Sequence, residues 1–236
     1  MDRGLRSLQA RDRRRAHGSR RRRGRRLDAG GWPRRNRAGG LERQHHHDPE
    51  RPVNPPATLE TPRLRLRLPV ADDAAAIFDA YTQDSEVARY TSWSPHRSMD
   101  ETRKFLDQHC EAGWKAGTVF SWLITLAEGG HAAGMIDFRL AACRAEVGYV
   151  LARRYWGHGL MTEAARVVVD WVISQPEIHR AWATVDLENP ASQRVLKKVG
   201  MVREGVLRRW MVFPNLGFVP RDVWSFARIK ETGTRQ

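Results

Sequence analysis

The stretch Arg154-Tyr155-Trp156-Gly157-His158-Gly159 limits what this chain can fold into more than any other segment. It lies between an apolar, strand-like run at 146–151 and a long amphipathic run that starts near 159. Glycines at 157 and 159 let the backbone turn tightly from strand into helix without a Cβ clash. The following helix presents unpaired N–H groups and a positive dipole end at its start, which suits an anion such as a pyrophosphate. A plain glycine turn before a core helix would carry the same local sequence, so the flanking elements have to choose between the two readings.

Those elements alternate in short lengths. The segment Thr61-Pro62-Arg63-Leu64-Arg65-Leu66-Arg67-Leu68 alternates strictly, which predicts a half-buried strand with leucines on one face and arginines on the other. Asp72 and Asp73 open a helix through Ile77, Phe78 and Tyr81. A second helix is predicted over about 98–115, with Ser98 three residues before Glu101 at capping-box spacing. Strands follow at about 118–126, 132–140 and 144–151, the first turned into the second by Glu128-Gly129-Gly130. The helix over about 159–174 has a polar face of Glu163, Arg166 and Asp170. Its apolar face carries Met161, Ala164, Ala165, Val168, Trp171 and Val172. A strand is predicted at 180–187. Asn189-Pro190 then starts a helix that Lys197-Lys198-Val199-Gly200 ends. Two strands near 201–210 and 218–229 complete the body. The order β-α-α-β-β-β-α-β-α-β-β predicts an α+β, or mixed α/β, domain with one crossover helix after its central strands.

The charge of the chain does not belong to this body. Residues 1–56 hold 17 arginines against 6 acidic residues, whereas 57–236 carry a net charge of only +3. The segment 1–56 has runs such as Arg20-Arg21-Arg22-Arg23 and few apolar residues, so it is expected to be a disordered tail. It reads either as a nucleic-acid-binding arm or as an extension from an upstream start codon without a role of its own. His45-His46-His47 within it reads as a solvated triplet rather than a metal site. Residues 57–230 form the expected domain, followed by a short tail at 231–236. The two cysteines, Cys110 and Cys143, have no metal-like spacing and fit a reducing cytosol. No long apolar run predicts a membrane span, so a cytoplasmic protein without a resident metal is expected.

The motifs and their order resemble the GNAT superfamily of N-acetyltransferases, in particular its RimJ/RimL-type branch. The resemblance rests on Leu59-Glu60-Thr61-Pro62-Arg63-Leu64, Glu146-Val147-Gly148-Tyr149-Val150-Leu151, Arg154-x-x-Gly157-x-Gly159, Asn189-Pro190-Ala191-Ser192 and Val199-Gly200-Met201. It covers about 57–230. It implies a central, mostly antiparallel, twisted sheet splayed at the cofactor and flanked by about four helices. It also implies acetyl-CoA as co-substrate, with the backbone amides of Gly157, His158, Gly159, Leu160, Met161 and Thr162 around the pyrophosphate and Arg154 heading the loop. The backbone near Val150 and Leu151 would bond the pantetheine like a further strand, and an N–H there would polarise the thioester carbonyl. Asn189 is the family position that contacts the cofactor arm, although asparagine before proline is already a good helix N-cap.

Amine attack on a thioester needs a neutral amine. A lysine side chain is less than ~0.1% neutral at pH 7, and a terminal α-amine on the order of 10%. Glu146 lies four residues before Val150, hence on the same strand face, and is the candidate general base; pairing with an arginine is its other reading. The family's helix tyrosine falls on Leu196, so that acid is missing. Ser192 is the candidate substitute, and otherwise an ordinary first-turn serine. Trp93, after Arg89-Tyr90-Thr91-Ser92, is either a wall for the acceptor or a core residue. His96 and Arg97 are either acceptor contacts or a solvated face. The resemblance implies a protein N-terminal α-amine or a small amine as acceptor and leaves the oligomeric state open. Two other readings stand beside it: a ribosome- or nucleic-acid-associated protein anchored by the tail, and a CoA-binding domain that does not catalyse.

Overall fold

The computed structural model describes residues 53–231. Residues 1–52 and 232–236 lie outside it, and with them most of the expected tail, the His45-His46-His47 triplet and nearly all of the C-terminal extension. The packed body starts slightly before the expected boundary at 57. Val53 packs on the core, Pro55 is buried, and the Pro56 carbonyl accepts a bond of 3.0 Å from the Trp122 indole.

Eight strands form one sheet in the order β1-β2-β3-β4-β5-β6-β8-β7. They are β1 (Thr58–Glu60), β2 (Leu64–Arg67), β3 (Val119–Leu126), β4 (Ala132–Ala141), β5 (Arg144–Leu151), β6 (Arg180–Asp186), β7 (Val202–Met211) and β8 (Arg221–Ile229). All neighbours are antiparallel except β5 and β6. The helices are α1 (Ala74–Ile77), α2 (Ser85–Ala88), α3 (Met99–Phe105), α4 (Ala112–Ala116), α5 (Leu160–Ser174) and α6 (Pro190–Lys198). The expected α+β architecture is what the chain adopts.

Most elements follow directly from the pattern. Leu64 and Leu66 are almost fully buried, and Arg65 between them faces outward. The expected strand at 61–68 is nevertheless split. Thr61-Pro62-Arg63 is a turn in which the Thr61 N–H donates to the Leu64 carbonyl, and this turn adds the short strand β1. Proline has no N–H for a sheet ladder, so a break there is physically natural. Ser98 caps α3 by accepting from the Glu101 N–H at 3.3 Å, while the Glu101 carboxylate returns to the N–H of Arg97, one residue earlier than a capping box requires. Asn189 caps α6, and Gly200 ends it with a φ of +82°.

The sequence pattern did not show where helices would widen. Five residues, Phe78–Thr82, and six, Leu106–Glu111, adopt π-helical turns that continue α1 and join α3 to α4. Such turns swell the helix locally and re-aim side chains, which is why they recur at functional sites. Here they carry Tyr81, Thr82 and His109 to the wall of a groove.

The sheet buries two faces. On one, α5 lays Met161, Ala164, Ala165, Val168, Val169 and Val172 on alternate residues of the central strands, such as Ile136, Phe138 and Val147. On the other, Ile77, Tyr81, Leu106 and Cys110 cover Leu123 and Met135. Each of the larger apolar side chains contributes about 1.5–3 kcal/mol on leaving water.

A buried ion pair fixes the end of β6. Asp186 is 1% exposed, and Arg221 donates to it from Nε at 2.6 Å and Nη2 at 3.1 Å. The same carboxylate accepts the Glu188 N–H at 2.8 Å, and so shapes the turn that leads into α6. Arg221→Ala would strand a buried carboxylate and should cost about 3 kcal/mol of stability in urea unfolding, the low end of such losses because water reaches the guanidinium. A loss below ~1 kcal/mol would show that the pair matters little.

Candidate active site

The site begins where two strands part. β5 and β6 pair over Arg144–Glu146 and Arg180–Trp182 and then separate, while β6 stays paired with β8 as far as Asp186. The gap beside 147–151 opens into a groove of about 910 Å³.

Hydrogen-bond alternation tells which backbone groups face this gap. Ala152 N–H donates to the Ala133 carbonyl at 2.8 Å, so its β4 partner sets the phase of the ladder. Val150, two residues earlier and opposite Met135, therefore turns its N–H and C=O toward β4. A Cβ at Gly134 would lie 2.2 Å from the Val150 oxygen, as that orientation demands. Tyr149 and Leu151 turn their backbone toward the gap. The Leu151 carbonyl is taken by the Trp156 indole N–H at 2.7 Å, and its N–H is left directed into the opening. The expectation that Val150 and Leu151 both offer backbone there thus divides: Leu151 offers backbone, and Val150 lines the groove with its side chain.

At one end of the groove the loop after β5 enters α5. Gly157 has φ +82°, and Gly159, the N-cap, has φ +75°, conformations that cost a residue with a Cβ about 1–2 kcal/mol. A Cβ at Gly157 would meet nothing within 4 Å, so open space stands before the loop. Gly157, Gly159, Leu160, Met161 and Thr162 line the groove. Arg154 and His158 do not. The Arg154 guanidinium lies over the Tyr155 ring and reaches the Ala132 carbonyl at 3.4 Å. His158 is exposed and gives its carbonyl to Arg63 at 3.0 Å. What the loop presents to the groove is therefore backbone and its two glycines, a surface an extended phosphate chain fits.

At the other end the face of β4 and β5 carries Asp137, Arg139 and Glu146, brought together by the register Asp137↔Gly148 and Arg139↔Glu146. Burial raises the Glu146 carboxyl above the usual range; nearby Arg139 opposes this and Asp137 adds to it. Asp137 has one oxygen, Oδ1, buried without a hydrogen-bond partner. Its other oxygen stands 3.7 Å from His109 Nε2 and 3.6 Å from Arg139 Nη2. Gly148 keeps space over this carboxylate, since a Cβ there would come within 3.1 Å of Oδ1. Asp137, Arg139 and His109 carry no motif in the sequence; Asp137 and Arg139 are spaced for one face of β4, but their pairing with β5 depends on register.

Ser192 and Asn189 both line the groove, at the start of α6. Asn189 Oδ1 accepts the Ser192 N–H at 3.1 Å, so its capping role is realised. Ser192 Oγ lies 2.7 Å from the Tyr149 hydroxyl, which crosses the gap from β5. Burial pushes the Tyr149 phenol well above its ordinary range, with the Ser192 bond opposing, so it stays protonated. Leu196 is buried and supplies no acid. The phenol comes instead from the facing strand, a contact between residues 43 apart in sequence.

Trp93, Tyr90 and Phe213 add aromatic side chains to the groove lining. The Tyr90 hydroxyl donates to the Glu188 carbonyl at 2.9 Å. The Asn215 amide donates to the carbonyls of Ala88 at 2.6 Å and Trp93 at 2.8 Å, tying the loop after β7 to the segment after α2. His96 also lines the groove; its ring is held below the usual histidine range by burial, against the pull of Glu101. Arg97 is exposed and outside the lining. Among the described residues no cluster of histidine, cysteine, aspartate or glutamate could hold a metal ion, and no helix is long and apolar enough to cross a membrane.

A mixed sheet that parts beside a glycine loop and a helix N-terminus is the setting of an acyl-transfer domain. Residues 63–202, which span the gap, the loop and both flanking helices, match the model of the acetyltransferase (GNAT) domain, and the chain belongs to that family. Among its relatives is the uncharacterized N-acetyltransferase YoaA of Bacillus subtilis, 34% identical over 176 residues, 73% of this chain and 98% of that protein. The [ribosomal protein uS5]-alanine N-acetyltransferase of Escherichia coli is 24% identical over 67% of this chain and 84% of its own. Among solved structures, a GNAT acetyltransferase of Bacillus anthracis superposes with a TM-score of 0.64 at 26% identity, covering 74% of this chain and 99% of that one. Mycobacterium smegmatis RimJ, solved with CoA-disulfide, shares the fold at a TM-score of 0.64 and 24% identity, over 73% and 85% of the two chains.

Proposed function

We propose that this enzyme moves an acetyl group from acetyl-CoA to a primary amine by direct attack in a ternary complex. We further propose a RimJ/RimL-type acceptor, a protein N-terminal α-amine or a small-molecule amine. One observation carries the reading: a single groove runs from the N-terminus of α5, along the β5–β6 gap, to the carboxylate of Glu146. A donor held at one end and an amine held at the other would meet in it. The domain over 57–230, with the adjoining 53–56, would do this alone. Two free thiols, Cys110 and Cys143, support a reducing, cytoplasmic setting.

In this reading the amides from Gly157 to Thr162 receive the pyrophosphate, and the dipole end of α5 adds about 0.3–2 kcal/mol. The pantetheine lies in the gap against the backbone of Tyr149 and Leu151, with the Asn189 turn on its far side. The Leu151 N–H points where charge builds on the thioester oxygen during attack. The incoming ammonium enters on the face shared by Asp137 and Glu146 and loses a proton to Glu146, directly or through water. The C–N bond forms, the C–S bond breaks, and the departing thiolate takes a proton from Ser192, behind which the Tyr149 phenol stands. The named substrate of the uS5-alanine relative supports the protein-terminus acceptor. So does the far smaller cost of having an α-amine neutral than a lysine.

Titration calorimetry of the chain with acetyl-CoA is expected to show one site of micromolar affinity. No heat at high micromolar ligand would overturn the reading. Mass detection of acetylated products from a panel of N-terminal peptides and polyamines then separates the enzyme from a domain that only binds.

A further inference from the structure

The proposed anion site contains a conflict. Glu163 is acidic and sits in the first turn of α5, the turn that would face a pyrophosphate. A carboxylate there favours the helix dipole but repels an anionic ligand. The fold answers with the turn between β1 and β2, a hundred residues away in sequence. Arg63 donates to Glu163 Oε2 from Nε at 2.7 Å and from Nη2 at 2.6 Å, and its backbone N–H reaches Oε1 at 3.1 Å. The Thr61 hydroxyl donates to the same Oε1 at 2.6 Å. Both carboxylate oxygens are therefore occupied from the side of the turn. The remaining guanidinium nitrogen, Nη1, donates to the His158 carbonyl at 3.0 Å, inside the glycine loop. One side chain thus holds both the loop and the acid of the helix that follows it.

We propose that Arg63, assisted by Thr61, is a positioning residue for the donor site: it fastens the 157–159 loop through the His158 carbonyl and cancels the charge of Glu163, so that the start of α5 can accept a pyrophosphate. This rests on the acetyl-CoA reading above. An ordinary exposed ion pair would add little and would leave ligand binding alone. The two guanidinium donors on Oε2, the fixed carbonyl and the place of the acid in the first turn set this pair apart.

Calorimetry with CoA as the probe tests the proposal on the full chain, with thermal unfolding as the check on folding. Arg63→Ala is expected to weaken CoA about tenfold at low salt. The deficit should shrink toward 1 M salt, where the screening length falls from about 10 Å to about 3 Å. Adding Glu163→Gln to Arg63→Ala should restore most of the affinity, because the repelling charge is then gone. Glu163→Gln alone frees a cation beside the loop and should bind CoA as tightly as wild type or more so; this variant keeps the proposal open to test should Arg63→Ala fail to fold. An Arg63→Ala protein that binds like wild type, a double variant no better than Arg63→Ala, or a tenfold loss in Glu163→Gln would each overturn the proposal. Wild-type protein that does not bind CoA would overturn the acetyl-CoA reading itself, which is a distinct result.

Discussion

Gly159→Trp is expected to abolish CoA binding while the domain still folds. Gly159 has φ +75° at the N-cap of α5, so any side chain there carries about 1–2 kcal/mol of backbone strain. That is well inside the margin of a folded domain, usually about 5–15 kcal/mol. The space around the position is open: the nearest atom to an added Cβ is Arg63 Nη2 at 3.8 Å. An indole would therefore not clash with the core but would cover the loop amides and Gly157 beside it. Calorimetry should show no CoA heat, and thermal unfolding should show a cooperative transition only a few degrees lower. Intact affinity in this variant would remove the loop from the donor site, whatever the rest of the groove does.

Glu146→Gln is expected to lower kcat by about 10²–10⁴-fold on an acceptor identified by the panel, with little change in acetyl-CoA affinity. The pH profile gives the sharper result. Burial raises the Glu146 carboxyl, so it becomes protonated, and useless as a base, at a higher pH than an ordinary carboxylate. In the wild type kcat/KM should fall as pH drops through that raised value. In Glu146→Gln this acid limb should vanish. The limb set by the acceptor's own amine, near pH ~8 for an α-amine, should remain. An unchanged acid limb in the variant would assign proton removal to another group of the groove, such as Asp137 on the same sheet face.

Much of the domain was legible before any coordinates. Strict alternation of leucine and arginine marked β2, the Asn-Pro start and glycine end marked α6, and the apolar stripe of α5 marked its buried face. These signals are local, since a side chain's neighbours within four residues set its helix or strand periodicity. The elements that escaped were short or irregular. β1 has three residues and exists through its pairing with β2; α2 has four. The π-turns add one residue to a helical turn with no marker in the pattern. In the site, the glycine loop and Glu146 were readable from spacing. Arg154 was expected at the donor site by its place in the motif, yet its guanidinium lies over the Tyr155 ring.

The chain's local chemistry was enough to establish a β-α alternation with a glycine loop at a helix start, because propensity, capping and periodicity act over a few residues. It also placed Glu146 and Val150 on one strand face. Packing settled the rest. The parting of β5 from β6 after three paired residues, the phenol of Tyr149 on Ser192, the approach of His109 to Asp137 and the grip of Arg63 on Glu163 all involve residues far apart in sequence. Such contacts depend on strand order and register, and no short window of sequence contains those.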